Sequence, residues 1–279
     1  VRVYTSLSAA YDATVTNRHD VIVLDGSTSH TLTAMLSITK NRIHFIGLEW
    51  LLGVKKRYGQ SSKVVIGVTT ATANVAMIKN TGTRNSFRGI KFDSGDTLTQ
   101  GVTCFAEGGE YTYFENCEFY KSTHLNSDTA AELLLNGDSA QFKDCTLGDL
   151  VNTTVSTAKR PVIRLAREII TGKVCRDVRF DGCEILRKAA NVAARLVYSA
   201  GATDVERRLV FNDCLFVAAK LGAAAPAEAI GGASAQTEGQ ILLHNCSAYN
   251  ITKWSTLTGV VGTMPTADAS MDTVAVQAA

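Results

Sequence analysis

Phe114-Glu115-Asn116-Cys117-Glu118-Phe119, Phe142-Lys143-Asp144-Cys145-Thr146-Leu147, Phe180-Asp181-Gly182-Cys183-Glu184-Ile185, Phe211-Asn212-Asp213-Cys214-Leu215-Phe216 and Leu243-His244-Asn245-Cys246-Ser247-Ala248 are five versions of one six-residue pattern. Two earlier stretches, Phe45-Ile46-Gly47-Leu48-Glu49-Trp50 and Phe87-Arg88-Gly89-Ile90-Lys91-Phe92, carry an aliphatic residue where the others carry Cys. The seven starts lie 42, 27, 28, 38, 31 and 32 residues apart, a mean of 33. A period of that size marks a repeating supersecondary unit, with insertions absorbing the scatter.

The columns of this alignment carry the physics. Positions one, four and six are apolar in every copy, and nine of the ten Phe in the chain fall in the first and sixth. Position three reads Gly47, Gly89, Asn116, Asp144, Gly182, Asp213 and Asn245. Each of these residue types tolerates the left-handed backbone region. The hexad is therefore the end of one strand, a single left-handed residue that turns the chain, and the start of a second strand. Cys117, Cys145, Cys183, Cys214 and Cys246 should line up as an internal ladder.

A bent strand pair of this kind cannot bury its apolar face alone, whereas stacked copies can. The pattern predicts an all-β, single-stranded parallel β-helix of about seven or more coils, rising about 4.8 Å per coil. A third strand per coil is expected at Leu133-Leu135, Val162-Leu165 and Arg195-Tyr198. Leu7, Ala10, Tyr11, Thr14 and Val15 share one helical face, with Thr5 or Ser6 as N-cap, and predict a helix that caps the first coil. The chain divides into an N-terminal cap (residues 1–30), a β-helix (31–250) and a C-terminal extension (251–279). The extension ends in the alternation Thr273-Val274-Ala275-Val276-Gln277 and is a candidate subunit-contact arm.

Composition narrows the function classes. Apolar residues make up 46% of the 279 and charged residues 19%, enough for a large core and too apolar for a disordered chain. Lys and Arg number 28 against 26 Asp and Glu, so bulk charge does not point to nucleic acid. No apolar run approaches the roughly 20 residues that span a bilayer, and the chain reads as soluble. Seven Cys without a Cys-x-x-Cys pair argue against a disulfide framework or structural zinc, and for reduced thiols folded inside a cell.

A short capping helix, the strand Val21-Leu24, Asp25-Gly26, a further strand and Ile43-His44-Phe45-Ile46-Gly47 resemble the opening of pectin-lyase-like right-handed β-helices. The Asn116, Asp144, Asp213 and Asn245 column is similar to that superfamily's asparagine ladder. The resemblance covers roughly residues 4 to 250 and implies a right-handed parallel β-helix. Lyases, glycoside hydrolases, phage tailspikes and non-catalytic virion proteins all use that fold.

The residues themselves favour the non-catalytic end of that range. A β-helix glycosidase needs two carboxylates on one face, one of them with a raised pKa. The second hexad column instead runs Ile46, Arg88, Glu115, Lys143, Asp181, Asn212, His244, alternating in sign over its middle members. The fifth column begins Glu49, Lys91, Glu118, Thr146, Glu184. Acids next to bases one coil away have lowered pKa values. A lyase needs acids and an Arg or Lys base on the third-strand face, where Arg164, Arg195, Glu132 and Glu228 are the candidates. His19, His30, His44, His124 and His244 are dispersed, and Trp254, Tyr111 and Tyr113 are the candidate glycan platforms. Lys55-Lys56-Arg57 reads as a solvated loop. Residues 218–235, rich in Ala and Gly, suit close subunit contact or a tolerant loop.

The expectation is a structural virion protein without cofactor, metal or catalytic residue. It would be a homotrimer that decorates or cements a phage capsid through the major capsid protein, found in the virion after assembly in the host cytoplasm, with no nucleic-acid or membrane partner. The alternative is a phage tailspike, polysaccharide lyase or glycoside hydrolase acting on surface glycans. A cell-surface adhesin is a third class.

Overall fold

The computed structural model describes residues 2–27, 29–51, 64–68, 76–94, 103–120, 130–154, 161–167, 173–189, 193–220, 226–233 and 236–263. All strand pairings in it are parallel and join residues one coil apart. They build three sheets, of nine strands (sheet A, Val21–Leu24 to Val260–Thr263), eight (sheet B, His30–Leu32 to Ser247–Tyr249) and seven (sheet C, Leu36–Ile38 to Ile230–Gly232). The chain visits A, B and C in turn, so each of the first seven coils contributes one strand to each sheet, and the last turns add strands to A and B.

The hexads sit at the A-to-B corner. First-position Phe rings stack one per coil, from Phe45–Phe87 at 4.8 Å through Phe114–Phe142 at 4.5 Å and Phe142–Phe180 at 4.4 Å to Phe180–Phe211 at 4.8 Å. Interplanar angles within these pairs stay at or below 14° because parallel in-register strands impose the same rotamer on every ring. Phe105, the one Phe outside the hexads, enters from sheet C and meets Phe87 and Phe114 edge-on. The five hexad Cys are buried and not joined by disulfides, as are Cys104 and Cys175. Hexad Sγ–H groups donate to carbonyls, for example Cys183 to Phe142 O at 3.4 Å, and burial pushes the Cys183 thiol up in pKa.

The turn column follows one rule. Gly89, Asn116, Asp144, Gly182, Asp213 and Asn245 have φ between 50° and 63°. In that conformation the residue's N–H points along the solenoid axis. Asn116 thus donates to Lys143 O at 3.0 Å, and Asp144 to Asp181 O at 2.9 Å. Gly47 differs. It ends a sheet A strand without positive φ and runs into the one-turn helix α2 (Leu48–Leu51). The second strand of that coil is supplied by Val64–Val68, whose Val64, Val65 and Ile66 pair with Ile90, Lys91 and Phe92. The side chains of Glu49 and Trp50 lie outside the described residues. The cause is an insertion between the two halves of this copy.

A second left-handed column brackets sheet A at the C-to-A corner. Arg42, Arg84, Tyr111, Ser139 and Asp177 have φ between 46° and 58°. The N–H groups of Arg42, Arg84, Tyr111 and Ser139 repeat the axial bonds, with Arg84 donating to Glu110 O at 2.7 Å and Tyr111 to Asp138 O at 2.8 Å.

At the N-terminal end, α1 (Leu7–Asp12) starts at Ser6, whose side chain accepts from Ala9 N at 3.2 Å. Leu7 and Tyr11 are buried, and the Tyr11 hydroxyl accepts from Thr39 N and Lys40 N. Val15, expected on the same face, is exposed. At the other end the solenoid runs past residue 250. Ile251 and Trp254 are buried and Val260–Thr263 pairs with Ile241–His244, so the first part of the expected extension is one more sheet A turn. Thr273–Gln277 lies outside the described residues.

Candidate functional site: the outer faces of sheets A and C

Register places Ile46, Arg88, Glu115, Lys143, Asp181, Asn212 and His244 in a single outward row of sheet A. Along it Arg88 Nε lies 3.4 Å from Glu115 Oε2. Arg179 Nε reaches Asp181 Oδ1 at 2.6 Å, and Asn212 Nδ2 donates to the same oxygen at 2.8 Å. Arg207 and Arg208 both reach Asp177 at 3.0 Å. Partial burial raises the Asp177 pKa, and the two guanidinium bonds more than reverse this, holding it below the usual carboxylate range. Asp177, Arg179, Arg208, Asn212 and His244 border a shallow cleft of about 320 Å³, lined also by Val178, Val210 and Leu242. In sheet B, Lys91 aligns with Glu118, Thr146 and Glu184, and its Nζ lies 4.1 Å over the Tyr120 ring.

The outer row of sheet C is Leu134, Arg164, Tyr198 and Gly231. Arg164 is 6% exposed. Arg195 lies across Gly231, where an added Cβ would come 2.4 Å from its Nε. Its guanidinium meets Glu228 at 3.5 Å, Lys253 meets the same carboxylate at 3.4 Å, and Thr256 Oγ1 donates to it at 2.6 Å. Glu132 is paired with Arg187 at 3.6 Å, both almost wholly buried. Burial lowers the Arg187 pKa, countered by Glu132 and Asp149. The structure thus splits the four lyase candidates into two neutralised groups, Arg195–Glu228–Lys253 and Glu132–Arg187, beside Arg164.

The carboxyls with raised pKa are elsewhere. Glu107 is 0% exposed at the C-to-A corner. Burial lifts its pKa to about 7, against bonds from Asn80, Gly109 N and Thr112. Asp204, at the same corner further along, is raised by burial against bonds from Gly201 N and Ser199. Both face inward, where no polymer can reach them. Neither left a signal in sequence beyond an acid near Gly.

Trp254 is buried edge-on against Phe216 and offers no platform. Tyr111 is 56% exposed with Arg84 over its ring at 5.7 Å, and Arg88 lies 5.4 Å over Tyr113. His19 and His44, far apart in sequence, are in contact at 3.1 Å, which spacing could not reveal. His124 and Lys55–Arg57 lie outside the described residues. Among the described residues, no three His, Cys, Asp or Glu side chains are grouped as metal ligands, and no helix is long and apolar enough to cross a membrane.

No protein-family model and no curated protein matches the chain. Solved structures do. A pectin methylesterase from Aspergillus niger superposes with a TM-score of 0.61 at 14% identity, covering 99% of this chain and 88% of that one. Pectate lyase Pel9A gives 0.55 at 12%, covering 95% and 73%. ORF18 of Geobacillus virus E2 gives 0.52 at 12%, covering 92% of this chain and 53% of the viral one. The chain has the pectin-lyase-like right-handed parallel β-helix fold.

Proposed function

We propose that this protein is a non-catalytic structural β-helix of a phage virion, a trimer that decorates or cements the capsid against the major capsid protein. The observation that carries the reading is the neutralisation of outward acids. Glu115, Asp177, Asp181 and Glu228 are each ion-paired with Arg or Lys, whereas glycoside hydrolysis needs a pair of carboxyls free to act on the substrate. The likeness to a viral protein supports the same setting. Quantitative mass spectrometry of purified particles tests it. Copies near-stoichiometric with the major capsid protein are expected, and absence from the particle would sink the idea.

A second reading, a polysaccharide-acting tailspike or enzyme, is favoured by the fold neighbours, one of them solved in complex with a hexasaccharide. Arg195 on sheet C, partly exposed beside Glu228, is its natural cation. A few copies per particle, together with glycan depolymerisation lost on Glu228→Gln, would establish it instead.

A further inference from the structure

Two imidazoles meet where the segment after α1 returns to the solenoid. His19 Nδ1 lies 3.1 Å from His44 Nε2, and His44 Nδ1 lies 2.8 Å from Ser86 Oγ. The ring centroids are 5.4 Å apart with planes 17° from parallel. That separation equals the N···N distance plus the two centre-to-nitrogen radii, so both nitrogens lie on the line between the rings. The rings meet edge to edge and head on, with the lone pair of one directed along the N–H of the other. Such a contact is a hydrogen bond when the facing nitrogens share one proton, and a clash of two N–H groups when each carries its own.

The backbone prepares this contact. His19 is held at φ 61° in a loop tied down by Val15 N to Asp20 Oδ2 at 2.7 Å, Asn17 N to Asn41 O at 2.9 Å and His44 N to Asp20 O at 2.9 Å. His44 is fixed by its strand and by Ser86 on the neighbouring one. The charged groups around the pair are Asp20, engaged by Arg18, and Arg88, engaged by Glu115. Burial, His19 and Arg88 together lower the His44 pKa, the same direction that the geometry demands.

We propose that His19 and His44 form an acid-released clasp that holds the loop preceding the first strand, and with it α1, onto the solenoid while the pair shares a single proton. When the second proton binds, the head-on contact is lost and the edge strand Val21–Leu24, paired only with His44–Gly47 among the described strands, becomes more open. The device is independent of the virion reading.

Hydrogen exchange of the full chain at about pH 7.5 and about pH 5, corrected for intrinsic chemistry, tests it. Protection over residues 7–24 should fall about tenfold at the lower pH, with sheet strands beyond residue 86 unchanged. His19→Gln removes one of the two titrating rings, and its amide can turn from donor to acceptor when His44 Nε2 is protonated, so its protection should depend little on pH. Equal protection of the wild type at both pH values, or the same loss in His19→Gln, overturns the proposal. If His19→Gln is unprotected at the higher pH, imidazole 15N titration of the wild type decides. Uptake of two protons in separate, coupled steps supports the clasp, and independent uptake overturns it.

Discussion

Phe142 shows how one side chain reports the fold. It is fully buried and stacked between Phe114 and Phe180 at 4.5 and 4.4 Å. Phe142→Ala leaves a ring-sized void that rigid neighbours cannot fill, and should cost about 3–5 kcal/mol in denaturant titration. A change near zero would mean that the column is not internal. Glu107 makes the complementary electrostatic case. Its pKa in the folded state, about 7, is raised above the ordinary 4.5 by burial. Its stabilising contribution is therefore full below pH 4.5 and lost as pH rises through 7, by an amount on the order of 3 kcal/mol. Melting temperature should fall across that window in the wild type and less so in Glu107→Gln. An identical profile for both proteins would show that another group is titrating.

At the scale of elements, the two left-handed columns and the bulged strand Thr146–Thr154 differ in what they demand. Gly182 has φ 61°, and an added Cβ would meet only the end of the Asp144 side chain, at 2.9 Å. Asn occupies the same column at Asn116 and Asn245, so Gly182→Asn should change stability by no more than about 1 kcal/mol. Gly148 has φ 82° and a Cβ there would lie 2.0 Å from Leu186 O, the backbone of the adjacent coil. Gly148→Ala should cost about 3 kcal/mol, because the obstacle is a paired strand that cannot step aside. Chemical unfolding of the two variants side by side tests the contrast. The Gly column was legible in sequence because Gly, Asn and Asp advertise positive φ. The column of Arg42, Arg84, Tyr111, Ser139 and Asp177 was not, because Arg and Tyr carry no such preference. Arg42, Arg84, Tyr111 and Ser139 are held there by axial hydrogen bonds that only stacking creates.

For the molecule as a whole, stability is a sum over coils and their interfaces, so the ends matter most. Ile251, Trp254 and Val260–Thr263 belong to the final turn. If the protein is the trimeric capsid-binding protein proposed above, removing residues 264–279 should abolish trimer formation and capsid binding, read by light scattering and particle reconstitution. Removing residues 251–279 also deletes Trp254, which packs on Phe216, and the strand Val260–Thr263, and should lower the melting temperature. A trimer that survives the shorter truncation would take the contact role away from the tail.

The parallel β-helix, its period and its inward columns follow from the sequence alone, since stacking identical apolar positions is the one way such hexads bury themselves. The hexad at Phe45 misleads, because an insertion moved its second half to Val64–Val68. Which charges neutralise each other, which carboxyls lie sealed at a corner, and that His19 meets His44 were decided by tertiary structure. The Arg88–Glu115 pair was legible, because stacked strands set a fixed spacing, but the other contacts join corners and loops whose paths no local pattern encodes.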